Sequence, residues 1–293
     1  MKHSNTGGPR AFLRRFPLLV SINRYLWRNF RSGNESTTLD VLQTFPAFRP
    51  YSPGNYRDRV RIAITTINQT IPFLSSLATS VGAPRLAILP IESVPSCSED
   101  REACDELKKF YDKYGSDKAT GHDYHHLYGS ILKNRGEIRG LLEIGLGTNN
   151  LSVVSNMGRE GKPGASLRAF RDFLQNAKIY GADIDRGILF KDNRIETFYV
   201  DQTDPASFAD LAKAIPNDLD LVIDDGLHSP NANIETLRFG LSKIRVGGWV
   251  IIEDVGADAL PIWEVVSAIL PGRYLSTLYR ARGGFLFAVK CLS

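Results

Sequence analysis

The chain has 293 residues, 43% of them hydrophobic and 23% charged, an ordinary globular composition with length for one large domain or a domain plus an extension. Its net charge of +4 is local: Lys2, Arg10, Arg14, Arg15, Arg24, Arg28 and Arg31 all precede the first acid, Glu35, and without those seven the balance is 36 − 7 = 29 basic to 32 acidic residues. The body therefore gives no reason to expect nucleic-acid binding, and Cys97, Cys104 and Cys291, without metal-ligand spacing, suit a reducing compartment and a cytoplasmic location.

Residues 1–10 are polar. Beyond them Leu19, Ile22, Leu26 and Phe30 share one helical face, with Arg24, Arg28 and Arg31 opposite. This basic amphipathic arm is expected to pack on its own protein or on a sister subunit in a homo-oligomer, with contact to an anionic membrane surface as the alternative. No apolar stretch approaches the ~20 residues needed to cross a bilayer, and no small-residue cleavage site follows Phe16-Pro17-Leu18-Leu19-Val20, so no signal peptide is expected. Residues 32–53 are rich in turn formers and read as a linker, 59–81 as a helix, 85–90 as a short strand and 105–114 as a helix. Residues 1–105 are grouped as an N-terminal accessory region and 106–293 as the domain that carries the chemistry.

In that domain, strands are predicted at 140–144, 178–182, 196–200, 219–223, 249–252, 275–279 and 285–289, with helices at 167–174, 186–190, 206–214 and 231–243 between the first five. Strands alternating with helices imply an α/β fold, a Rossmann-like doubly wound, mostly parallel seven-stranded sheet. Arg280-Ala281-Arg282-Gly283-Gly284 reads as a hairpin connection, which makes one edge antiparallel.

Open α/β sheets hold ligands at the carboxyl ends of their strands, and the acids of this chain cluster there. The first strand ends in Glu143-Ile144-Gly145-Leu146-Gly147, where glycines let the backbone turn and approach a ligand; the third glycine of the dinucleotide fingerprint is missing. Asp183 ends the second strand, where a carboxylate can accept hydrogen bonds from ribose hydroxyls. Asp201-Gln202 follows the third, where a carboxylate and an amide can read an adenine edge. Asp224-Asp225 and Glu253-Asp254 end two further strands and offer a place for a hard cation, with His228 three residues past the first pair. In an extended segment Asp224 points away from Asp225, so it is given a supporting role. His122, His125 and His126 invite a metal reading, but no familiar zinc spacing completes it. A lid or wall over the site, from which Lys118, His122 or Tyr124 touches cofactor or substrate, is the preferred role of this segment.

Four stretches carry a resemblance: Gly115-Ser116-Asp117-Lys118 with His122 and Tyr124; Leu142-Glu143-Ile144-Gly145-Leu146-Gly147; Gly164-Ala165-Ser166-Leu167-Arg168-Ala169-Phe170-Arg171-Asp172; and Asp224-Asp225-Gly226-Leu227-His228 with Glu253-Asp254. In this order they resemble the class I S-adenosylmethionine-dependent methyltransferases, and among them the metal-dependent sugar O-methyltransferases of macrolide and related antibiotic pathways, of the mycinamicin 2''-O-methyltransferase kind. The resemblance implies that Glu143, Gly145, Gly147 and Ser166 surround the methionine part of S-adenosylmethionine, Asp183 its ribose, and Asp201 and Gln202 its adenine. It implies Mg²⁺ on Asp225, Glu253 and Asp254, His228 as general base, and a small-molecule glycosylated acceptor. Two other classes compete: a cofactor-binding but inactive domain serving assembly or membrane attachment, and a dinucleotide oxidoreductase, which the missing glycine and the Asp201-Gln202 pair disfavour.

Overall fold

The structure, a computed structural model, describes residues 56–293; the basic arm and the linker at 32–53 lie outside the described residues. The chain divides into two compact units, Met1–Leu77 and Ala78–Ser293. Helix α1 (Tyr56–Ser80), with Pro72 inside it, runs across the division at Leu77, and its residues up to Leu77 are the described part of the first unit. Among the described residues, no helix is long and apolar enough to cross a membrane.

The second unit runs β1 (Ala87–Pro90), α2 (Ser98–Tyr114), α3 (His125–Ile131), β2 (Gly140–Ile144), α4 (Ala165–Phe173), β3 (Lys178–Asp183), β4 (Lys191–Asp192) and β5 (Ile195–Tyr199). It continues with α5 (Pro205–Ala214), β6 (Leu219–Asp224), α6 (Pro230–Lys243), β7 (Ile244–Val255), α7 (Leu260–Ile269), β8 (Tyr274–Ala281) and β9 (Gly284–Cys291). Residues 78–105, grouped from sequence with the accessory region, belong to this unit, and α2 crosses the expected boundary.

The strands form one sheet in the order β1-β8-β9-β7-β6-β2-β3-β5-β4. All seven expected strands are present, joined by β1 at one end and the two-residue β4 at the other. The expected antiparallel pairing is carried by β9, which runs against both β7 and β8, so β8 and β1 lie outside it. The helix expected at 186–190 is a single 3₁₀ turn, Arg186–Ile188, whereas α3 and α7 were not foreseen.

Both faces of the sheet are covered, as parallel strands require. Alternate residues serve opposite cores: Leu141, Ile179, Leu221 and Ile251 pack with Leu107, Tyr128 and Phe170 from α2, α3 and α4. On the other face Leu142, Tyr180, Val222 and Ile252 pack with Phe208, Phe239 and Trp263 from α5, α6 and α7. Helix starts follow local chemistry: Asp100 and Cys97 form a capping box at α2, and Asp204 caps Ala206 N with Pro205 in the first turn of α5.

The register aligns the chemistry. Phe198, Ala182, Ile144, Asp224 and Ile252 form one row of paired residues across β5, β3, β2, β6 and β7. The residues one step beyond, among them Asp183, Gly145, Asp225 and Glu253, therefore emerge side by side at the carboxyl edge.

Candidate active site

Two adjoining cavities open at that edge. The first, about 380 Å³, is lined by Asp183, Val200, Asp201, Gln202 and Leu227. The second, about 250 Å³, is lined by Ser116, Lys118, Ser166, His228, Glu253 and Asp254. Gly145, Gly147, Ser155 and Asp225 border both.

Gly145 and Gly147 take φ of +94° and +74°, which L side chains resist. A Cβ on Gly145 would lie 1.9 Å from the carbonyl oxygen of Asp225, so the glycine lets the loop after β6 close against the loop after β2. Asp183 Oδ2 accepts from Leu146 N (2.7 Å) and Oδ1 from Asp185 N (2.8 Å), which holds the first loop to β3. Burial raises the Asp183 carboxyl above its usual range against those backbone bonds. Asp201 Oδ1 accepts from both the amide and hydroxyl of Thr203, at 2.8 and 2.7 Å.

Gln202 lines the same cavity, but its amide is occupied within the protein. Its Nε2 donates to Asp224 Oδ1 and Thr236 Oγ1, both at 2.8 Å, and its Oε1 accepts from Leu227 N at 2.7 Å. Both amide protons are engaged, so Gln202 acts here as a clamp on the loop after β6 rather than as a free reader of a ligand edge. Asp224 is fully buried and accepts from Gln202, from Asn233 Nδ2 (3.0 Å) and from Gly226 N (3.2 Å). It anchors that loop, the supporting role its orientation foretold, and burial raises its carboxyl.

In the second cavity Asp225, His228 and Asp254 come together, each offering an atom within 4.8 Å of the others. His228 Nε2 lies 3.9 Å from Asp225 Oδ1 and 3.8 Å from Asp254 Oδ2, beyond hydrogen-bond length. His228 and Asp254 both hold left-handed φ, +55° and +54°, two of five such non-glycine residues among the described residues. Strain of this kind persists where packing over-determines it and is common at functional sites.

Glu253 departs from the expected set. Its carboxylate lines the cavity but is bound by the Lys118 ammonium and the Tyr128 hydroxyl, and it is not part of the Asp225–His228–Asp254 group. The register sets Glu253 level with Asp225, and it is the left-handed backbone of Asp254, φ +54°, that breaks the strand's alternation there. Burial pushes the Glu253 carboxyl well up while Lys118 pulls it down. Glu143 is fully buried, accepts from Ser166 Oγ at 2.5 Å, and has Lys118 Nζ 3.2 Å from Oε1, an oxygen that receives no hydrogen bond.

Lys118 is the residue whose importance the sequence understated. It is 2% exposed, donates to Asp225 Oδ2 at 2.6 Å, and touches Glu143 and Glu253. Burial works against its charge, but three carboxylates outweigh burial and raise its pKa well above the usual value. Tyr124 donates to Asp254 Oδ1, and His122 Nδ1 lies 3.7 Å from the same oxygen. The Asp117 carboxylate, 3.6 Å from His122 Nε2, raises the His122 pKa against burial, with Asp254 adding to it. This segment presents three donors to the acids, Lys118, Tyr124 and Tyr128, with His122 beside Asp254. His125 is buried, which lowers its pKa to about 4, and stands outside both cavities.

No family model matches the chain. It is 29% identical over 153 residues to 8-demethyl-8-alpha-L-rhamnosyl tetracenomycin-C 2'-O-methyltransferase of Streptomyces olivaceus, covering 52% of this chain and 38% of that one. It is 39% identical over 93 residues both to demethylmacrocin O-methyltransferase of Streptomyces fradiae and to mycinamicin VI 2''-O-methyltransferase of Micromonospora griseorubida, covering 31% of this chain and 23% of each relative. The chain thus spans well under half the length of these curated relatives. Among solved structures, the MycE methyltransferase in complex with Mg, SAH and mycinamycin VI superposes with a TM-score of 0.51 at 22% identity, over 64% of this chain and 53% of that one. At that identity the likeness shows a shared fold.

Proposed function

We propose that this chain, which has the class I S-adenosylmethionine-dependent methyltransferase fold, is a Mg²⁺-dependent O-methyltransferase acting on a sugar hydroxyl of a glycosylated small molecule. The observation that carries the reading is the junction of the two cavities at Gly145, Gly147 and Asp225: one side presents Asp183 and Asp201 and the other presents Asp225, His228 and Asp254. The named relatives are O-methyltransferases of a rhamnosyl tetracenomycin and of macrolides, which supports the acceptor class.

The residues fit both groups. Gly145 and Gly147, at positive φ where the two cavities meet, let the first loop approach the methionine part, and Asp183 and Asp201 suit ribose and adenine. S-adenosylmethionine, when bound, supplies the electrophilic sulfonium methyl. Three carboxylates, Glu143, Asp225 and Glu253, engage one buried ammonium and Asp254 lines the same cavity, an oxygen-rich set that suits a divalent cation. Asp225 and Asp254 would hold Mg²⁺, which commonly takes one or two carboxylates and leaves positions for water or substrate. When bound, it lowers the pKa of an acceptor hydroxyl. His228 would take the hydroxyl proton as the oxygen bonds to the methyl carbon and the S–CH3 bond breaks, leaving S-adenosylhomocysteine, and Asp225 and Asp254, 3.9 and 3.8 Å from Nε2, would stabilise the imidazolium that results. The loop clamp built on Gln202 and Asp224 fixes where His228 stands, so the protein contributes mainly positioning.

Calorimetric titration of S-adenosylmethionine, and separately of NAD, with and without Mg²⁺ tests the reading; heat from NAD alone would refute it. With demethylmacrocin-type acceptors, His228→Ala should lower kcat by about 10²–10⁴-fold while cofactor affinity stays nearly intact. Retained turnover would remove His228 as base.

A further inference from the structure

Lys118 is not needed to bind cofactor or metal in the reading above, yet it is the best-connected cation of the site. It reaches from the loop after α2 to acids that follow or end β2, β6 and β7. A lone buried ammonium is costly, and here it is paired with three carboxylates, of which Asp225 also belongs to the group that would hold the metal. The ammonium engages Asp225 Oδ2, one of the oxygens a metal needs, and it holds Glu253 apart from the Asp225–His228–Asp254 group. It also mimics the cation electrostatically, since it lets three buried carboxylates stand close together.

We propose that Lys118 is a built-in counter-ion that competes with the divalent cation for Asp225 and Glu253, so that metal enters by displacing an ammonium rather than by filling an open site. The inference rests on the metal-dependent reading. Metal entry leaves Glu143 as the ammonium's remaining acid partner and frees Glu253 to approach the cation with Asp225 and Asp254. Lys118 is therefore a positioning residue, holding the acids in place while no metal is bound and setting the affinity for the ion that replaces it.

A purely structural lysine and a competing one predict opposite results. Titration of Mg²⁺ alone into the full chain, followed by calorimetry, should show Lys118→Met binding at least about tenfold tighter than the unmodified protein, because a neighbouring positive charge has gone. Lys118→Arg keeps the charge and should bind Mg²⁺ like the unmodified protein. Melting curves supply the second readout: Lys118→Met should lose stability without Mg²⁺, as its acids repel, and recover it with Mg²⁺. Equal or weaker Mg²⁺ binding by Lys118→Met, with binding still lost in Asp225→Asn, overturns the inference alone. Absence of Mg²⁺ binding in every variant, or undiminished binding by Asp225→Asn, overturns the metal-dependent reading and the inference together. If Lys118→Met does not fold without metal, a cooperative melt restored by Mg²⁺ supports the proposal, and failure to restore one overturns it.

Discussion

Gly145→Ala isolates the contact on which both cavities depend. The residue holds φ +94°, and a Cβ there would meet the Asp225 carbonyl oxygen at 1.9 Å and its carbon at 2.3 Å, both backbone atoms. To reach ordinary contact at 3.4 Å, the two loops must part by 3.4 − 1.9 = 1.5 Å. They are tied nearby by Asp225 N donating to Ile144 O and Gly145 N to Ala182 O, both at 2.8 Å, so neither loop yields freely. Left-handed strain costs about 1–2 kcal/mol and overpacking about 1–3 kcal/mol, which together make roughly 2–5 kcal/mol. At about 2–4 °C per kcal/mol for a domain of this size, Tm should fall by roughly 10 °C. Because a displacement of about 1 Å can cost 10²-fold in a positioned reaction, turnover should fall more than cofactor affinity. Gly158→Ala is the control: Gly158 also has positive φ, +70°, but a Cβ there meets nothing within 4 Å. It should cost only about 1 kcal/mol, from strain alone. Calorimetric scanning of the two variants, with S-adenosylhomocysteine titrations, decides the matter. If Gly145→Ala melts and binds like Gly158→Ala, the close approach of the two loops is not what the glycine serves.

Gln202→Leu removes the clamp and leaves Leu227 N and part of Asp224 unsatisfied, so urea unfolding should show a loss of about 2–4 kcal/mol, and a loss below 0.5 kcal/mol would contradict the clamp. Asp172 ties α4 to the end of α2; burial would raise its pKa, but bonds from Tyr114 Oη (2.5 Å), Lys113 Nζ (2.9 Å) and Arg171 Nε (2.9 Å) outweigh burial and hold it at about 2, below its usual 3.8. A depressed folded pKa contributes stability above 3.8 that is lost as pH falls toward 2, here about 1–2 kcal/mol after allowance for its partial exposure. Asp172→Asn should therefore flatten the acid limb of stability between pH 4 and 2, and an unchanged limb would show that the three bonds carry no net energy.

The layers of this protein, and the edge at which its chemistry gathers, are written in local residue patterns. Runs such as 219–223 and 249–252 are buried on both faces, and their apolar character announces a parallel strand wherever the neighbours lie. The glycines at 145 and 147 and the acids at 183, 201, 225 and 254 were legible because a strand end is a local feature. Helices α3 and α7 escaped notice for the same reason in reverse: α3 is only seven residues and has no side-chain cap, and α7 begins at Leu260-Pro261 without a polar cap, leaving little local signal. How the acids divide depends on contacts between distant parts of the chain. Asp225 and Asp254 meet beside His228, Glu253 turns to Lys118 and Tyr128, and Gln202 closes on Asp224 instead of on the cavity. Lys118 is separated along the chain by 107 residues from Asp225 and by 135 from Glu253, so no spacing rule could pair them. The register of β2, β6 and β7 brings them within one ammonium's reach, and that register is fixed by packing on both faces of the sheet.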